Sequence, residues 1–76
     1  MIGWESIPGI IRPRYAMLID GKRNGWWISS VQHPTVLRPY TVHRPNGEAV
    51  GPNYRLLALA KMAAVDAMIA EEEDAA

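Results

Sequence analysis

In the first half of the chain, short runs rich in apolar residues and bounded by Gly, Asn, Asp or Pro predict extended structure. Residues 14–20 (RYAMLID) place successive side chains on opposite faces, and residues 26–32 (WWISSVQ) are rich in aromatic and β-branched types. The segment between them, GKRNG at 21–25, has glycine at both ends and carries Lys22 and Arg23. Two strands joined by a short loop of Gly and Asn predict an antiparallel hairpin with a basic loop.

A third strand is predicted at residues 35–44, with Pro39 inside it. Proline cannot donate to a strand ladder, so we expect this strand at an edge of the sheet or bulged at that point. Pro45-Asn46-Gly47 has the composition of a turn, because Pro presets φ and Asn and Gly tolerate left-handed geometry. A short return strand at 48–50 follows it.

The second half of the chain has the pattern of one long helix. Asn53 is a good N-cap residue, and the residues from 54 to 70 are mostly strong helix formers. At about 100° per residue, the larger apolar side chains share one broad face, which we expect to cover the sheet. Its members are Tyr54, Leu57, Met62, Val65, Met68 and Ile69.

The other side of this helix is also apolar. It predicts a dimer or partner interface made of Leu56, Leu59, Ala60, Ala63 and Ala67. A helix that is apolar nearly all round needs cover on more than one side. Two covers are open: a second subunit, or the N-terminal arm of residues 1–13. We expect this arm to be irregular, with a turn at 7–10, and packed on the domain through its isoleucines and Trp4.

These elements predict an α+β fold, an antiparallel sheet of three to four strands packed against one long C-terminal helix. The 76 residues form one domain at most. Its parts are an arm (1–13), a sheet (14–50), a helix (53–70) and an acidic tail (71–76) that frays.

Composition narrows the classes of protein and of site. There is no cysteine, which excludes disulfides and thiolate zinc sites and fits a reducing compartment. The N-terminal sequence lacks the pattern of a secretory signal, and the apolar stretch at 56–70 is shorter than the roughly 20 residues that span a bilayer. We therefore expect a cytoplasmic protein with no membrane partner.

Basic and acidic residues are separated along the chain. Residues 1–61 hold all eight lysines and arginines and three acids, a net charge of +5, whereas residues 62–76 hold five acids and no base, a net charge of −5. This polarity predicts an interaction surface with an acidic tail, or mutual neutralisation within the fold or between subunits.

The adjacent tryptophans at 26 and 27 must point to opposite faces if both lie in a strand. We expect Trp26 to face the core, in phase with Ile28, and Trp27 to face outward. An outward tryptophan close to Lys22 and Arg23 favours a contact patch, because tryptophan stacks on bases or fills a partner's pocket and arginine pairs with phosphate. The alternative is that Trp27 packs under the N-terminal arm.

Combinations of residues that would indicate catalysis or metal binding are weak. Ser29, Ser30 and His33 are close in sequence but lack the strained glycine turn that presents a nucleophile. His33 and His43 lack accompanying carboxylates and are expected at the surface. We predict no enzyme activity, no cofactor, no metal and no small-molecule substrate.

Gly25-Trp26-Trp27 at the start of a strand, the later Pro45-Asn46-Gly47-Glu48, and one alanine-rich helix resemble the arm-binding domains of phage integrases and the related AP2 domains. In those domains a three-stranded sheet lies on DNA and a helix packs behind it. The resemblance covers the order of elements in 14–70 and implies DNA contacts for Arg23 and Trp27. Basic residues are sparser here than in that family. In size and style the chain also resembles small phage accessory proteins such as anti-CRISPR inhibitors.

The sequence therefore predicts a non-enzymatic module that binds nucleic acid or a nucleoprotein through its basic hairpin. The alternative is a protein inhibitor or assembly factor that acts through its helix and acidic tail, and a homodimer is expected in either case. The predicted binding residues are Lys22, Arg23, Trp27, Arg38 and Arg44. Arg38 and Arg44 share the phase of Tyr40 and Val42, so they cannot both lie in a flat outward patch if those two residues face the core, unless Pro39 shifts the phase of the strand.

Overall fold

The protein folds as one antiparallel sheet with a helix across one face. The computed structural model describes residues 1–9, 12–31 and 33–75. The elements are β1 (Ile2–Ile7), β2 (Arg14–Ile19), β3 (Lys22–Ser30), β4 (Tyr40–His43), β5 (Ala49–Tyr54) and α1 (Leu57–Ala75). The strands pair in sequence order, β1-β2-β3-β4-β5, and every neighbouring pair is antiparallel. The predicted α+β class is confirmed, with five strands in place of three or four.

The first strand corrects the prediction of an irregular arm at 1–13. β1 pairs along its whole length with β2, from Ile2 opposite Ile19 to Ile7 opposite Arg14. Trp4 lies on the helix side of the sheet and packs against the core. Backbone pairing to β2 makes this edge strand regular, although the following Pro8-Gly9 suggested otherwise. The arm's Ile10 and Ile11, like Gln32 at the end of the second predicted strand, lie outside the described residues.

The turn between β2 and β3 differs from the predicted GKRNG loop. Asp20 and Gly21 form it, with φ of 51° and 83°. Positive φ at both central residues is typical of a two-residue turn whose twist matches the strands, and Asp-Gly is a favoured pair there. β3 therefore resumes at Lys22, and the rest of the expected loop becomes strand.

Asn24 and Gly25 form a bulge within β3. The pairing to β2 shifts between Ala16 and Leu18, and Gly25 has φ of 96°. Asn24 Oδ1 accepts the Trp26 backbone N–H at 3.1 Å. A Cβ at Gly25 would come within 2.8 Å of Pro45 Cβ, so both backbone conformation and space require glycine here.

The last two strands also depart from the prediction. Pro39 precedes the interior strand β4, so no ladder bond is lost there. β5 continues to Tyr54, which pairs with Tyr40, and Pro52 is tolerated because β5 is an edge strand. Asn53 is thus a strand residue that accepts a hydrogen bond from Thr41 Oγ1 at 3.0 Å; it does not cap the helix.

The helix begins three residues later than expected and extends further. It runs from Leu57 to Ala75 and includes most of the residues that we assigned to a fraying tail. Glu71 holds this end to the sheet, because both of its carboxylate oxygens lie 3.0 Å from Arg44 Nε. No helix in the described part of the chain is long and apolar enough to cross a membrane.

The predicted orientation of the helix is only partly correct, because Tyr54, Leu57, Val65 and Met68 pack in or against the core but Met62 and Ile69 face solvent. Ala60 and Ala64 are fully buried and Met68 is 6% exposed, whereas Met62, expected to face the sheet, is 64% exposed. Alanines let the helix backbone approach a sheet whose inner face already carries large side chains, so space is filled from the sheet side. The alanine side of the helix, for which we expected the N-terminal arm or a second subunit as cover, is thus largely covered by the sheet of the same chain.

The core lies between α1 and strands β3, β4 and β5, with β2 contributing from the flank. Its fully buried large side chains are Met17, Ile28 and Val42. Ser30 is buried too, and its hydroxyl and backbone N–H both donate to the Pro13 carbonyl, at 2.8 and 3.2 Å. The loop before β2 is thereby fixed to the end of β3.

Candidate functional site

The sheet has one covered face and one open face. α1 packs on the face that carries Met17, Trp26 and Ile28, and alternation sends the intervening residues of each strand to the other side. We call this other side the open face. Its residues include Glu5, Arg14, Ala16, Arg23, Trp27, Ser29, Thr41 and His43, as the strand register requires.

Trp27 and His43 form an aromatic stack in the middle of the open face. They are register partners on β3 and β4, with ring centroids 3.9 Å apart and planes 10° from parallel. The spacing of neighbouring strands, about 4.8 Å, is close to that of stacked rings, so flat side chains opposite each other fall naturally into a stack. The predicted division is confirmed: Trp26 is 6% exposed in the core, and Trp27 is half-buried on the opposite face.

Arg14 covers the other side of Trp27. Its guanidinium carbon lies 5.1 Å from the centroid of the Trp27 ring, within the range of a cation–π contact. Arg14 belongs to β2 and His43 to β4, on either side of β3, so the two flank opposite faces of the indole. The result is a row of arginine, tryptophan and histidine across three strands.

Two hydrogen bonds fix the ring of His43. Nδ1 lies 3.2 Å from the Gly47 carbonyl, which can only accept, so Nδ1 carries a proton. In the neutral ring Nε2 then accepts the Ser29 hydroxyl, at 2.8 Å. The serine lies on a regular strand, without the sharp turn that exposes a catalytic nucleophile, and its contact orients the imidazole in the stack.

Arg23 lies on the same face but is paired. Its Nε donates to Glu5 Oε1 at 2.6 Å across β2. The hydrogen bond and charge of Glu5 raise the pKa of the Arg23 guanidinium, which therefore remains a cation. A shallow depression of about 220 Å³ lies beside it and is also lined by Arg14, Ala16 and Trp27.

The other predicted binding residues do not join this group. Lys22 is exposed beside the Asp20-Gly21 turn, opposite Ile19 on the helix side. Arg38 is exposed in the segment before β4, at one end of α1. Arg44 is on the helix side, as the phase of Val42 required, where it contacts Glu71 and also Glu48 at 3.2 Å. Arg23 and Trp27 are the two members that the fold brings to one surface.

The predicted dimer strip is divided as well. Leu56 and Leu59 are 52% and 46% exposed, but Ala60 is inaccessible and the other two alanines are half-buried. Ala60 is therefore unavailable to a partner because it packs against the sheet of its own chain. The partly covered pair are Ala63 and Ala67.

Arg14, Ser29 and His43 were missed as members of the site. His33 is exposed as predicted, with Nδ1 2.7 Å from Thr35 Oγ1, but His43 is half-buried. The available signal was the strand phase: His43 alternates with Val42, so a core-facing Val42 requires an outward His43. Pairing it with Trp27 needed the register of β3 and β4, which no local pattern supplies.

No group of three or more potential ligands among His, Cys, Asp and Glu comes together to hold a metal ion in the ranges that the structure describes. Searches of protein families, curated proteins and solved structures found no match to this chain.

Proposed function

We propose that this protein binds nucleic acid through the open face of its sheet, with single strands as the preferred form. The observation that supports the proposal is the stack of Trp27 on His43 with the Arg14 guanidinium held beside it. Proteins that bind single strands combine aromatic rings, on which bases stack, with cations that follow the phosphates. Bases are exposed in this way in single strands and hidden in a duplex.

A ligand base can extend the row of stacked side chains on one side. Trp27 is flanked on both ring faces, whereas the far face of His43 points toward β5. The residue opposite His43 on β5 is Ala49, which is small and exposed. A base placed above Ala49 would continue the row of stacked groups at the spacing of the strands.

Charge on the open face suits phosphate. Glu5 is the single acid in the five strands, and it is already paired with Arg23. The acids of the helix lie behind the sheet, so they do not face a ligand on the open side. A helix packed behind an open sheet is also the arrangement that the resemblance to integrase arm-binding domains implied, although those domains bind duplex DNA.

Binding is best tested by fluorescence anisotropy with labelled oligo(U), oligo(dT) and duplex DNA at low salt. Base–aromatic stacking contributes about 1–3 kcal/mol, so Trp27→Ala and His43→Ala should each weaken single-strand binding by roughly 5- to 150-fold. His33→Ala removes an exposed imidazole elsewhere and is the matched control, for which we expect wild-type affinity.

Salt dependence tests the role of the arginines. One phosphate contact, by Arg14, should give a slope of log K against log salt of roughly −0.7 for a single strand, because Glu5 already balances the charge of Arg23. Arg14→Ala should reduce that slope by about 0.7, whereas Arg12→Ala, at an exposed site before β2, should leave it unchanged.

Three results would reject or change the proposal. If the wild type binds none of the probes at low salt, the protein does not bind nucleic acid. If it binds but neither Trp27→Ala nor His43→Ala weakens binding, the open face is not the site. A preference for duplex DNA would mean that the ligand is a double strand, as in integrase arm-binding domains, and not a single strand.

A further inference from the structure

A groove at the start of α1 combines apolar and basic side chains. It has a volume of about 550 Å³ and is lined by Leu37, Arg38, Pro52, Tyr54, Arg55 and Leu59. Leu37 is 80% exposed, so most of its side chain is available for contact with a partner. Neither Arg38 nor Arg55 forms an ion pair within the described residues.

The opposite end of the same helix is acidic. Glu72, Glu73 and Asp74 are exposed and, in the part of the chain that the structure describes, form no ion pair. The first turn of α1 has no acid and its last turn no base. This is the reverse of the distribution that stabilises an isolated helix, because carboxylates at the C-terminus oppose the helix dipole.

The outer surface of α1 links these two ends. Leu59, Met62, Asp66 and Ile69 recur at intervals of three and four residues and are all exposed, so they form one stripe facing solvent. Two copies of such a stripe can pack antiparallel, which places the C-terminal end of each helix beside the N-terminal end of the other.

We propose that the occupant of the groove is a second copy of this chain, whose helix packs antiparallel along the outer stripe with Asp66 opposite Arg55 and its acidic end directed toward Arg38. The carboxylates of each helix end then approach a positive helix start and Arg38, which offsets their unfavourable placement in the monomer. The groove and the acidic turn are used twice, as two-fold symmetry requires.

The spacing of the stripe fits this arrangement. When Leu59 of each copy contacts Met62 of the other, Arg55 lies opposite Asp66, because both are four residues further from the symmetry axis. Ile69 then lies over the apolar side chains of the groove of the other copy. The acidic turn extends about 9–12 Å beyond Asp66 and so projects past the partner's helix start.

The dimer does not rest on the proposed nucleic-acid function. Its interface lies on the helix side, so the open faces of the two sheets point outward and remain accessible. Loss of one activity therefore leaves the other intact, and the two proposals fail separately.

The test uses sedimentation equilibrium of the whole chain and two charge-reversed variants. The groove variant carries Arg38→Glu and Arg55→Glu; the tail variant carries Asp66→Lys, Glu72→Lys, Glu73→Lys and Asp74→Lys. We expect the wild type to reach twice the 8.5 kDa chain mass at high concentration and each variant to weaken self-association at least tenfold. Lysines near the C-terminus of a helix interact favourably with the helix dipole, so the helix of the tail variant should be no less stable than that of the wild type. Misfolding would therefore not explain a monomeric tail variant.

Mixing the two variants gives the decisive result. The reversed groove of one should bind the reversed tail of the other, and the wild-type groove should bind the wild-type tail, so the mixture should form a heterodimer. A matched control, Arg12→Glu with Lys22→Glu, makes the same change of charge as the groove variant but at exposed sites outside the groove. It should dimerise like the wild type. A wild type that stays monomeric up to about 1 mM, self-association unaffected by either variant, or a mixture that stays monomeric would overturn the proposal.

Discussion

The two faces of the sheet are built on different principles. On the helix side, Met17, Ile28 and Val42 are at most 1% exposed, and small alanines of α1 fit between large side chains of the strands. On the open face, half-buried and exposed residues are held by a ring stack and by polar contacts such as Ser29–His43 and Arg23–Glu5. Packing therefore fixes the fold from one side, and oriented polar and aromatic groups remain available on the other.

This comparison predicts that stability is concentrated on the helix side. Ile28→Ala should lower the free energy of unfolding by about 2–5 kcal/mol, because it leaves a cavity where no solvent reaches. Urea unfolding followed by tryptophan fluorescence measures the loss. Thr41→Ala, on the open face of the adjacent strand, is the control and should cost about 1 kcal/mol or less. Equal losses at the two positions would contradict the division between the faces.

The close approach of helix and sheet can be tested by adding volume. Ala64→Leu should destabilise the protein by about 1–3 kcal/mol, since the buried alanine has no space for a larger side chain. Ala58→Leu, at an exposed position of the same helix, should change stability by about 0.5 kcal/mol or less. Thermal unfolding of both variants would show the difference, and a neutral Ala64→Leu would mean that the alanine face does not seat the helix.

The smallest effect is expected on the open face. Ser29→Ala removes the hydroxyl that contacts His43 Nε2, and we expect a loss of about 0.5–1 kcal/mol because water can replace it at a half-buried site. Ser6→Ala, at an exposed position of β1, is the matched control and should be neutral. A loss above about 2 kcal/mol would show that the open face contributes to stability as the core does.

Much of the fold followed from local pattern. The strand at 14–20, the outward Trp27 and the C-terminal helix were predictable because alternation and helix propensity act over a few neighbouring residues. The Asp20-Gly21 turn could have been found too, because Asp-Gly is a favoured pair in two-residue turns. The prediction instead extended the loop to Asn24 and Gly25, which form a bulge within β3.

The candidate site was less accessible to sequence reasoning. Arg23 and Trp27 were expected to act together and do lie on one face, whereas Arg44 lies with Val42 on the helix side, where it pairs with Glu71, 27 residues away in sequence. His43 joins the site through a partner on another strand. Such contacts depend on strand register and on helix position, which single segments do not encode.

The sequence by itself determined the strand at 14–20, the presence of a C-terminal helix, and that the two adjacent tryptophans face opposite ways, because these properties depend on backbone periodicity and local propensity. Only the tertiary structure decided that residues 2–7 add a fifth strand and that Ala60 and Ala64, and not Met62, face the sheet. Both sides of the helix are apolar, so periodicity could not distinguish them. The choice follows from the volume of the opposing side chains, since Met17, Trp26 and Ile28 already fill the sheet face and the small Ala60 and Ala64 let the helix approach it.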